Sequence, residues 1–269
     1  MITLANINAQ SWVNAMHRLP PEAIWGILLV ACFASIILLL RLFGAIGLYV
    51  YMAIGVIAAN IQVLKVVQFS LLPEPVALGT VIFSTIFLCT DILAEYYCAK
   101  TARNGVYLSM LGMFLMTLFM HITLGFRPLD PATAPEGLQW ALPAHDNISA
   151  IFTPAPALFL AGVVSFLTSQ LYDVWVFTAI RKLTRGRYLW LRNNVSTILS
   201  ALIDSVLFST LAWIVLAPHP LPWKTVLFTY ILGTYWIRVI FAIIDTPIIY
   251  LARHFIPQKD PLLIANKLK

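Results

Sequence analysis

The chain has 269 residues, of which 61% are hydrophobic and only 10% charged, and its mean hydropathy is +0.88. A soluble domain of this length needs more charge to cover its surface, so the composition excludes that class and indicates a membrane protein. The formal charge of +6 does not indicate a nucleic-acid partner, because no Lys/Arg tract with interleaved aromatic residues accompanies it.

The N-terminal segment, residues 1–22, is the first predicted element. It is polar at its start and lacks the basic region of a cleavable signal peptide. Trp12, Met16 and Leu19 make its second half amphipathic, which is typical of a segment lying on a membrane surface. We expect this segment on the periplasmic side.

A membrane-spanning helix needs about 20 residues, and seven apolar stretches of at least this length follow. They are Ala23–Leu42, Ala45–Phe69, Val76–Tyr96, Gly105–Phe126, Pro154–Ile180, Asn194–Ala217 and Thr225–Ala252. The link between the first two, around Arg41 to Gly44, is so short that we expect a tight helical hairpin. The long loop Arg127–Thr153 has room for a short helix around Pro135–Leu142. The prediction is an all-α bundle of seven transmembrane helices, forming one domain over residues 23–252, with a cytoplasmic tail at 253–269.

The distribution of basic residues orients this bundle. With the N-terminus outside, twelve Lys and Arg residues fall in cytoplasmic segments and four fall outside, as the positive-inside rule requires. An odd number of spans, an outside N-terminus and an inside C-terminus agree with one another. A bundle of six spans, in which Ala23–Leu42 does not cross, satisfies the same asymmetry and is the alternative.

Apart from Arg41 and Lys65, which lie at the ends of their spans, six charged side chains lie within the predicted spans: Asp91, Glu95, Asp173, Asp204, Asp245 and Arg238. A charge at the bilayer centre costs about 2.5–3.5 kcal/mol, so such residues should face the interior of the bundle. Helical spacing places Asp91 with Glu95, Gln170 with Asp173, and Arg238 with Asp245 on shared faces. Asn60 and Lys65 add polar groups toward the outer end of the second span. These residues predict a polar lining, and Glu95, near a helix end, also fits a structural ion pair.

No catalytic or metal-binding pattern accompanies these residues. The HExxH, GxSxG and Walker A sequences are missing, and His121 stands alone on an apolar helix. Cys32, Cys89 and Cys98 have no paired spacing, so we expect neither a disulfide framework nor a metal site. The sequence therefore disfavours an enzyme, predicts no cofactor and offers no ATP-binding motif to energise transport.

Four short motifs stand in order along the chain. They are ANIQVLK at Ala59–Lys65, TDILAEYY at Thr90–Tyr97, SQLYDVWVF at Ser169–Phe177, and LWLRNNVST at Leu189–Thr197 followed by LIDS at Leu202–Ser205. Together with Asp245-Thr246-Pro247 they resemble the queuosine precursor transporters of the vitamin uptake transporter family. The resemblance covers about residues 42–251, so Ala23–Leu42 lies outside the core shared with shorter members, many of which have six spans. Cys98 and Val195 stand where glycine is common, which affects only local packing.

The resemblance implies import of 7-cyano-7-deazaguanine or 7-aminomethyl-7-deazaguanine across the bacterial inner membrane, for salvage into queuosine of tRNA. Carboxylates accept the N–H groups of a guanine-like edge, amides both donate and accept, and Trp175 offers a ring for stacking. The candidate substrate-binding residues are Asn60, Gln62, Asp91, Glu95, Gln170, Asp173, Trp175, Arg192, Asn193, Asn194 and Asp204. Lys65, Arg238 and Asp245 are candidates for coupling or ion pairing.

The expected partners are a small 7-deazapurine and the lipid bilayer, without nucleic acid. Several alternatives stay open. The chain could bind another vitamin or nucleobase for a separate energising module, act as a scaffold or receptor, or be a membrane enzyme. The energy source of transport, the preferred deazapurine and assembly into a homo-oligomer are also open.

Overall fold

The computed structural model describes residues 9–70, 75–153 and 155–267, and most of them are helical. The helices are α1 (Ala9–Met16), α2 (Pro21–Gln62), α3 (Thr80–Tyr96), α4 (Ala99–Leu124), α5 (Ala144–Phe152), α6 (Ala155–Leu183), α7 (Leu189–Thr210), α8 (Trp223–Thr225), α9 (Gly233–Ala252) and α10 (Pro261–Lys267). Two short strands, β1 (Val66–Val67) and β2 (Val76–Ala77), pair antiparallel. Short 3-10 turns occupy Glu136–Ala141, within the predicted loop helix, and Arg253–Phe255.

Five helical segments among the described residues are long and apolar enough to cross a membrane. They are Pro21–Gln62, Ala99–Leu124, Leu158–Leu183, Leu189–Val215 and Trp223–Phe255. Their outer faces carry large exposed apolar side chains, such as Val30, Ile54, Phe119 and Ile243, as expected for surfaces that contact lipid. The predicted class, a mostly helical multi-pass membrane protein, is confirmed.

Helix α2 contains a sharp break at Gly44, where φ is 61° and ψ is −138°. Its 42 residues would extend roughly 63 Å if straight, about twice the hydrocarbon thickness of a bilayer. The start of α2 instead contacts residues that follow its end. The backbone N–H of Ser70 donates to Glu22 at 2.5 Å, and the rings of Trp25 and Phe69 are 4.9 Å apart. The two halves of α2, 21–43 and 45–62, therefore run antiparallel, and the predicted hairpin is present.

Helix α3 lies at the centre of the bundle, packed against α2, α4, α6 and α9. Fourteen of its 17 residues are buried, which fits a helix that is apolar on almost all sides. The apolar core around it includes Leu48, Met52, Ile86 and Leu93, all fully buried. A helix enclosed in this way positions its few polar side chains against neighbouring helices and not against lipid.

Several predicted boundaries differ from the observed ones. The stretch Ala45–Phe69 was predicted as one span, but its helix ends at Gln62 and β1 follows. Val76–Tyr96 begins with β2, so its helix starts only at Thr80. Pro154, the predicted start of another span, lies outside the described residues, as do residues 1–8 of the N-terminal segment.

Candidate functional site

The buried face of α7 is polar along almost its whole length. The buried polar residues are Arg192, Asn193, Ser196, Thr197, Ser200, Asp204, Ser205 and Ser209. Their spacing of three and four residues places them on one side of the helix, facing the bundle. From residue 192 to residue 209 this polar stripe spans about 25 Å, which is close to the hydrocarbon thickness of a bilayer. The stripe therefore provides polar groups through most of the depth of a membrane.

One end of the stripe is closed by an ion pair between Glu95 of α3 and Arg192. Arg192 Nε and Nη2 donate to the two carboxylate oxygens at 3.0 and 2.6 Å. Its Nη1 donates to the carbonyls of Gly186 and Arg187 at 3.3 and 3.0 Å, and its guanidinium lies 5.5 Å from the Phe177 ring centroid. With these contacts the buried Arg192 joins α3, α7 and the preceding loop, which favours a structural role.

The middle of the stripe faces three buried carboxylates from three helices: Asp91 of α3, Asp173 of α6 and Asp245 of α9. The Thr197 hydroxyl donates to Asp91 at 3.3 Å, and the Ser200 hydroxyl donates to Asp173 at 2.9 Å. The carboxyl groups of Asp91 and Asp173 are also close enough to interact with each other. We call these three residues the carboxylate cluster.

Amide side chains surround the cluster. Asn193 Nδ2 donates to Asp245 at 3.0 Å, and Asn194 Nδ2 donates to the Thr246 hydroxyl at 2.8 Å. On α6, the fully buried Gln170 accepts a hydrogen bond from the Thr90 hydroxyl at 3.0 Å. The structure thus brings these predicted amides to the middle of the bundle.

Toward the other end of the stripe, Asp204 forms an ion pair with Arg238 of α9. Asp204 also accepts a hydrogen bond from the Ser169 hydroxyl at 3.1 Å. Arg238 lies over the Phe83 ring, 5.8 Å from its centroid. Both charged residues are less than one-tenth exposed, and the ion pair neutralises their two charges within the protein.

A cavity of about 40 Å³ lies beside this ion pair, which is room for a few water molecules. Its aromatic lining consists of Phe83, Phe166, Phe208, Trp213 and Tyr230. Hydroxyl groups of serine and threonine residues, Asp204 and Arg238 supply the polar part of the lining, and a few small or aliphatic residues complete it. This combination of ring surfaces with a few polar groups has the chemistry of a site for a planar molecule with hydrogen-bonding edges.

Three polar atoms at this cavity are buried and have no hydrogen-bond partner among the described residues. They are Ser205 Oγ, Trp213 Nε1 and Arg238 Nε. Buried polar atoms are nearly always paired in proteins, because an unpaired one costs about 1–3 kcal/mol. Three unpaired atoms around one cavity indicate a site whose partner is a ligand or water.

Two π-helical stretches form one wall of the cavity. Trp213 lies in Leu211–Val215, which continues α7, and Tyr230 lies in Val226–Leu232, which precedes α9. Their rings are 4.9 Å apart, at an angle of 37°. π-Helical turns are rare and occur frequently at functional sites, so this wall is a second indication of a binding site.

Four predicted site residues lie away from both the cavity and the cluster. Asn60 lines a separate, mostly apolar cavity and donates to Met113 Sδ at 3.4 Å. Gln62 is half-buried at the end of α2, and Lys65 is exposed. Trp175 is 65% exposed, so its ring is available to lipid and not to the cavity.

Sequence reasoning missed several residues of the cavity, chiefly Ser205, Ser209, Trp213 and Tyr230. The serines at three- and four-residue spacing along α7 were a usable signal, because they extend the stripe that contains Asp204. Trp213 and Tyr230 gave no comparable signal, because aromatic residues near helix ends are also typical of a membrane interface.

Comparison with known proteins places these features in a wider group. Residues 77–252 match the family model described as "Putative vitamin uptake transporter". The chain is 30% identical over 240 residues to the "Probable queuosine precursor transporter" of Bacillus subtilis (strain 168), covering 89% of this chain and 97% of that protein. No solved structure matches the chain. The matched family segment includes α3, α6, α7 and α9, which carry the polar stripe and its partners.

Proposed function

This chain belongs to the vitamin uptake transporter family, and we propose that it imports a queuosine precursor across the bacterial inner membrane. The substrate is 7-cyano-7-deazaguanine, 7-aminomethyl-7-deazaguanine or both, which the cell then uses for queuosine in tRNA. The family and the Bacillus subtilis relative are transporters and not enzymes. The observation that carries the proposal is the cavity beside Asp204 and Arg238, with its aromatic walls and its unpaired polar atoms.

The chemistry of the cavity suits a deazaguanine ring. A guanine-like edge presents N–H donors beside a carbonyl acceptor, and a carboxylate such as that of Asp204 accepts two such N–H bonds. The unpaired Trp213 Nε1 and Arg238 Nε atoms are donors, and they suit the carbonyl or the cyano group. The rings of Trp213 and Tyr230 provide a stacking surface for the planar bicycle.

The proposed architecture for transport is a bundle of seven crossings. The two halves of α2 count as two, and α3, α4, α6, α7 and α9 supply the other five. Helix α3, at 17 residues, extends about 26 Å, and its burial among other helices removes the need for a longer apolar surface. The N-terminus then lies outside, and the ion pair between Glu95 and Arg192 lies near the cytoplasmic side.

The direct test uses a bacterial strain that neither synthesises nor imports queuosine precursors. Each precursor is supplied at low external concentration, with this chain or an empty vector, and queuosine in tRNA is measured by mass spectrometry. We expect queuosine to return only in cells that carry the chain. We expect excess guanine to compete only weakly with the precursor for uptake. If neither precursor restores queuosine while the protein is present in the membrane, the proposal is contradicted.

A further inference from the structure

The carboxylate cluster has no positive partner within the described part of the chain. The groups that face Asp91, Asp173 and Asp245 are one another and the side chains of Asn193, Ser196, Thr197 and Ser200. The neighbouring cations are engaged elsewhere, because Arg192 and Arg181 pair with Glu95, and Arg238 pairs with Asp204. Arg41 of α2 and Lys100 and Arg103 of α4 are exposed. Three carboxyl groups that are at most 2% exposed therefore need neutralisation from another source.

Unpaired oxygen atoms show what kind of group is missing. Asp91 Oδ1, Asp173 Oδ2 and Asn193 Oδ1 are buried and have no hydrogen-bond donor among the described residues. Asn193 is fully buried, and its Nδ2 already donates to Asp245, so the free oxygen belongs to an amide held against the cluster. All three atoms are acceptors. The groups missing at these three atoms are therefore donors or positive charges, whereas the unpaired Nε2 of the nearby Gln170 is itself a donor.

We propose that Asp91, Asp173 and Asp245 form a proton-binding site that couples import to the proton gradient, an inference that rests on the proposed transport function. Two interacting carboxylates that are buried without a positive partner cannot both remain ionised, whereas a single proton shared by Asp91 and Asp173 removes one of the two negative charges. A metal cation fits less well. The described residues contain no group of three His, Cys, Asp or Glu side chains suited to a metal ion.

The cluster is one helical turn from the substrate cavity on two helices. Asp173 of α6 is four residues after Ser169, which donates to Asp204. Ser200 of α7 donates to Asp173 and is four residues before Asp204. Pro247 follows Asp245 within α9 and removes a backbone hydrogen bond there, which weakens the helix at this position. Gain or loss of a proton at the cluster can thus move the same helices that hold the cavity.

The experiment uses the purified full chain in liposomes, with 7-cyano-7-deazaguanine as the probe. Substrate accumulation is measured with an inward proton gradient, with an inward sodium gradient and with neither. Exchange of internal for external substrate is measured separately, because exchange needs binding and movement but no net proton transfer. For the wild type we expect the proton gradient alone to raise accumulation, by up to about tenfold for one pH unit and one proton per substrate, because a tenfold proton ratio drives a tenfold substrate ratio at equilibrium.

The variants Asp91→Asn, Asp173→Asn and Asp245→Asn each make one position of the cluster permanently neutral. We expect each to keep exchange but to lose the response to the proton gradient. Asp91→Glu keeps a titratable group and should keep the response, as should Asp130→Asn, which removes a carboxylate from the exposed loop.

The outcomes separate the two proposals. Absence of both binding and exchange in the wild type would overturn the proposed transport function. Exchange without any response to the proton gradient, or with a response to sodium alone, would overturn only the coupling site. The same holds if all three Asn variants retain proton-driven accumulation. If one Asn variant fails to insert, the other two and Asp91→Glu still decide the question.

Discussion

Asp204 illustrates how one carboxylate serves both the protein and its proposed substrate. It pairs with Arg238 and accepts a hydrogen bond from Ser169. In a closed core, removing such a charge would strand its partner at about 3–5 kcal/mol. Here the pair borders a cavity, where water can replace part of the lost interaction.

We predict that Asp204→Asn inserts at near wild-type levels but loses substrate binding and uptake by about 10- to 100-fold. The magnitude follows from the about 1.5–3 kcal/mol that a hydrogen bond to a charged group contributes. Protein level, precursor binding and uptake are measured in the same membranes. The control is the double variant Asp204→Asn/Arg238→Gln, in which no charge is left unpaired. Normal uptake by either variant would show that Asp204 and Arg238 only neutralise each other's charge and do not bind the substrate.

Trp213 offers a narrower test of the cavity. Trp213→Phe keeps a ring against Tyr230 but removes the unpaired indole N–H. We predict a loss of substrate affinity of about fivefold, since a neutral hydrogen bond contributes about 1 kcal/mol. Trp236→Phe is the matched control, because Trp236 is 61% exposed on α9. The affinities are measured by direct binding of the precursor. Equal values for the two variants would show that Trp213 does not contribute to substrate binding.

At the scale of elements, the break in α2 depends on Gly44 and on a side chain from the other end of the chain. Asp260 Oδ2 accepts hydrogen bonds from the Ala45 N–H at 2.9 Å and from the Tyr97 hydroxyl at 2.7 Å. Burial, followed by the hydrogen bond to Asp260, raises the pKa of the Tyr97 phenol, so this group stays protonated and continues to donate. A Cβ at position 44 would overlap the Asp260 carboxylate.

We therefore predict that Gly44→Ala lowers the thermal stability of the purified protein. The positive φ alone costs about 1–2 kcal/mol for a residue with a side chain, and displacing Asp260 removes two hydrogen bonds. Gly26→Ala is the matched control, because Gly26 is an ordinary helical residue of α2 with open space around it. That change should be neutral or stabilising by up to about 1 kcal/mol. Similar melting temperatures for the two variants would contradict this account of the hairpin.

The elements that hydropathy predicted well are those in which the apolar pattern and the helix coincide. The hairpin near Gly44 followed from the short link between two apolar stretches, and α6 lies close to its predicted position, whereas α4 begins six residues earlier than predicted. Ala45–Phe69 failed because its last residues are as apolar as the helix but pair as a strand instead. Apolar character alone does not distinguish these two structures.

The charged residues of the candidate site were predictable from the sequence, because a charge is costly to place in contact with the membrane interior. Asp91, Asp173, Asp204, Arg238 and Asp245 were all expected to face the interior, and all are buried there. Which of them pair could not be read from spacing along one helix, because the pairs join different helices. The aromatic wall depends on two π-helical stretches, whose sequences contain no local signal for that geometry.

At the scale of the whole molecule, the number of crossings depends on the first half of α2. Glu22 contacts Ser70, and Trp25 contacts Phe69. These contacts hold the start and the end of the hairpin next to each other. A first half that lies on the membrane surface would separate these pairs. These contacts support a first half that crosses, and with seven crossings the segment just before α2 and the loop after α4 would lie on the same side of the membrane.

We predict that single cysteines at His17 and Asp130 are labelled from outside by a membrane-impermeant maleimide in intact cells, whereas one at Lys182 is labelled only after the membrane is opened. The background carries Cys98→Ser, which keeps an atom able to cap Thr101 N–H at the start of α4. Cys32 and Cys89 are buried and need no replacement. With six crossings, position 17 would be labelled together with position 182, because the segment before Arg41 would remain in the cytoplasm. Labelling of positions 130 and 182 from the same side would contradict both topologies, since α6 alone separates these two loops.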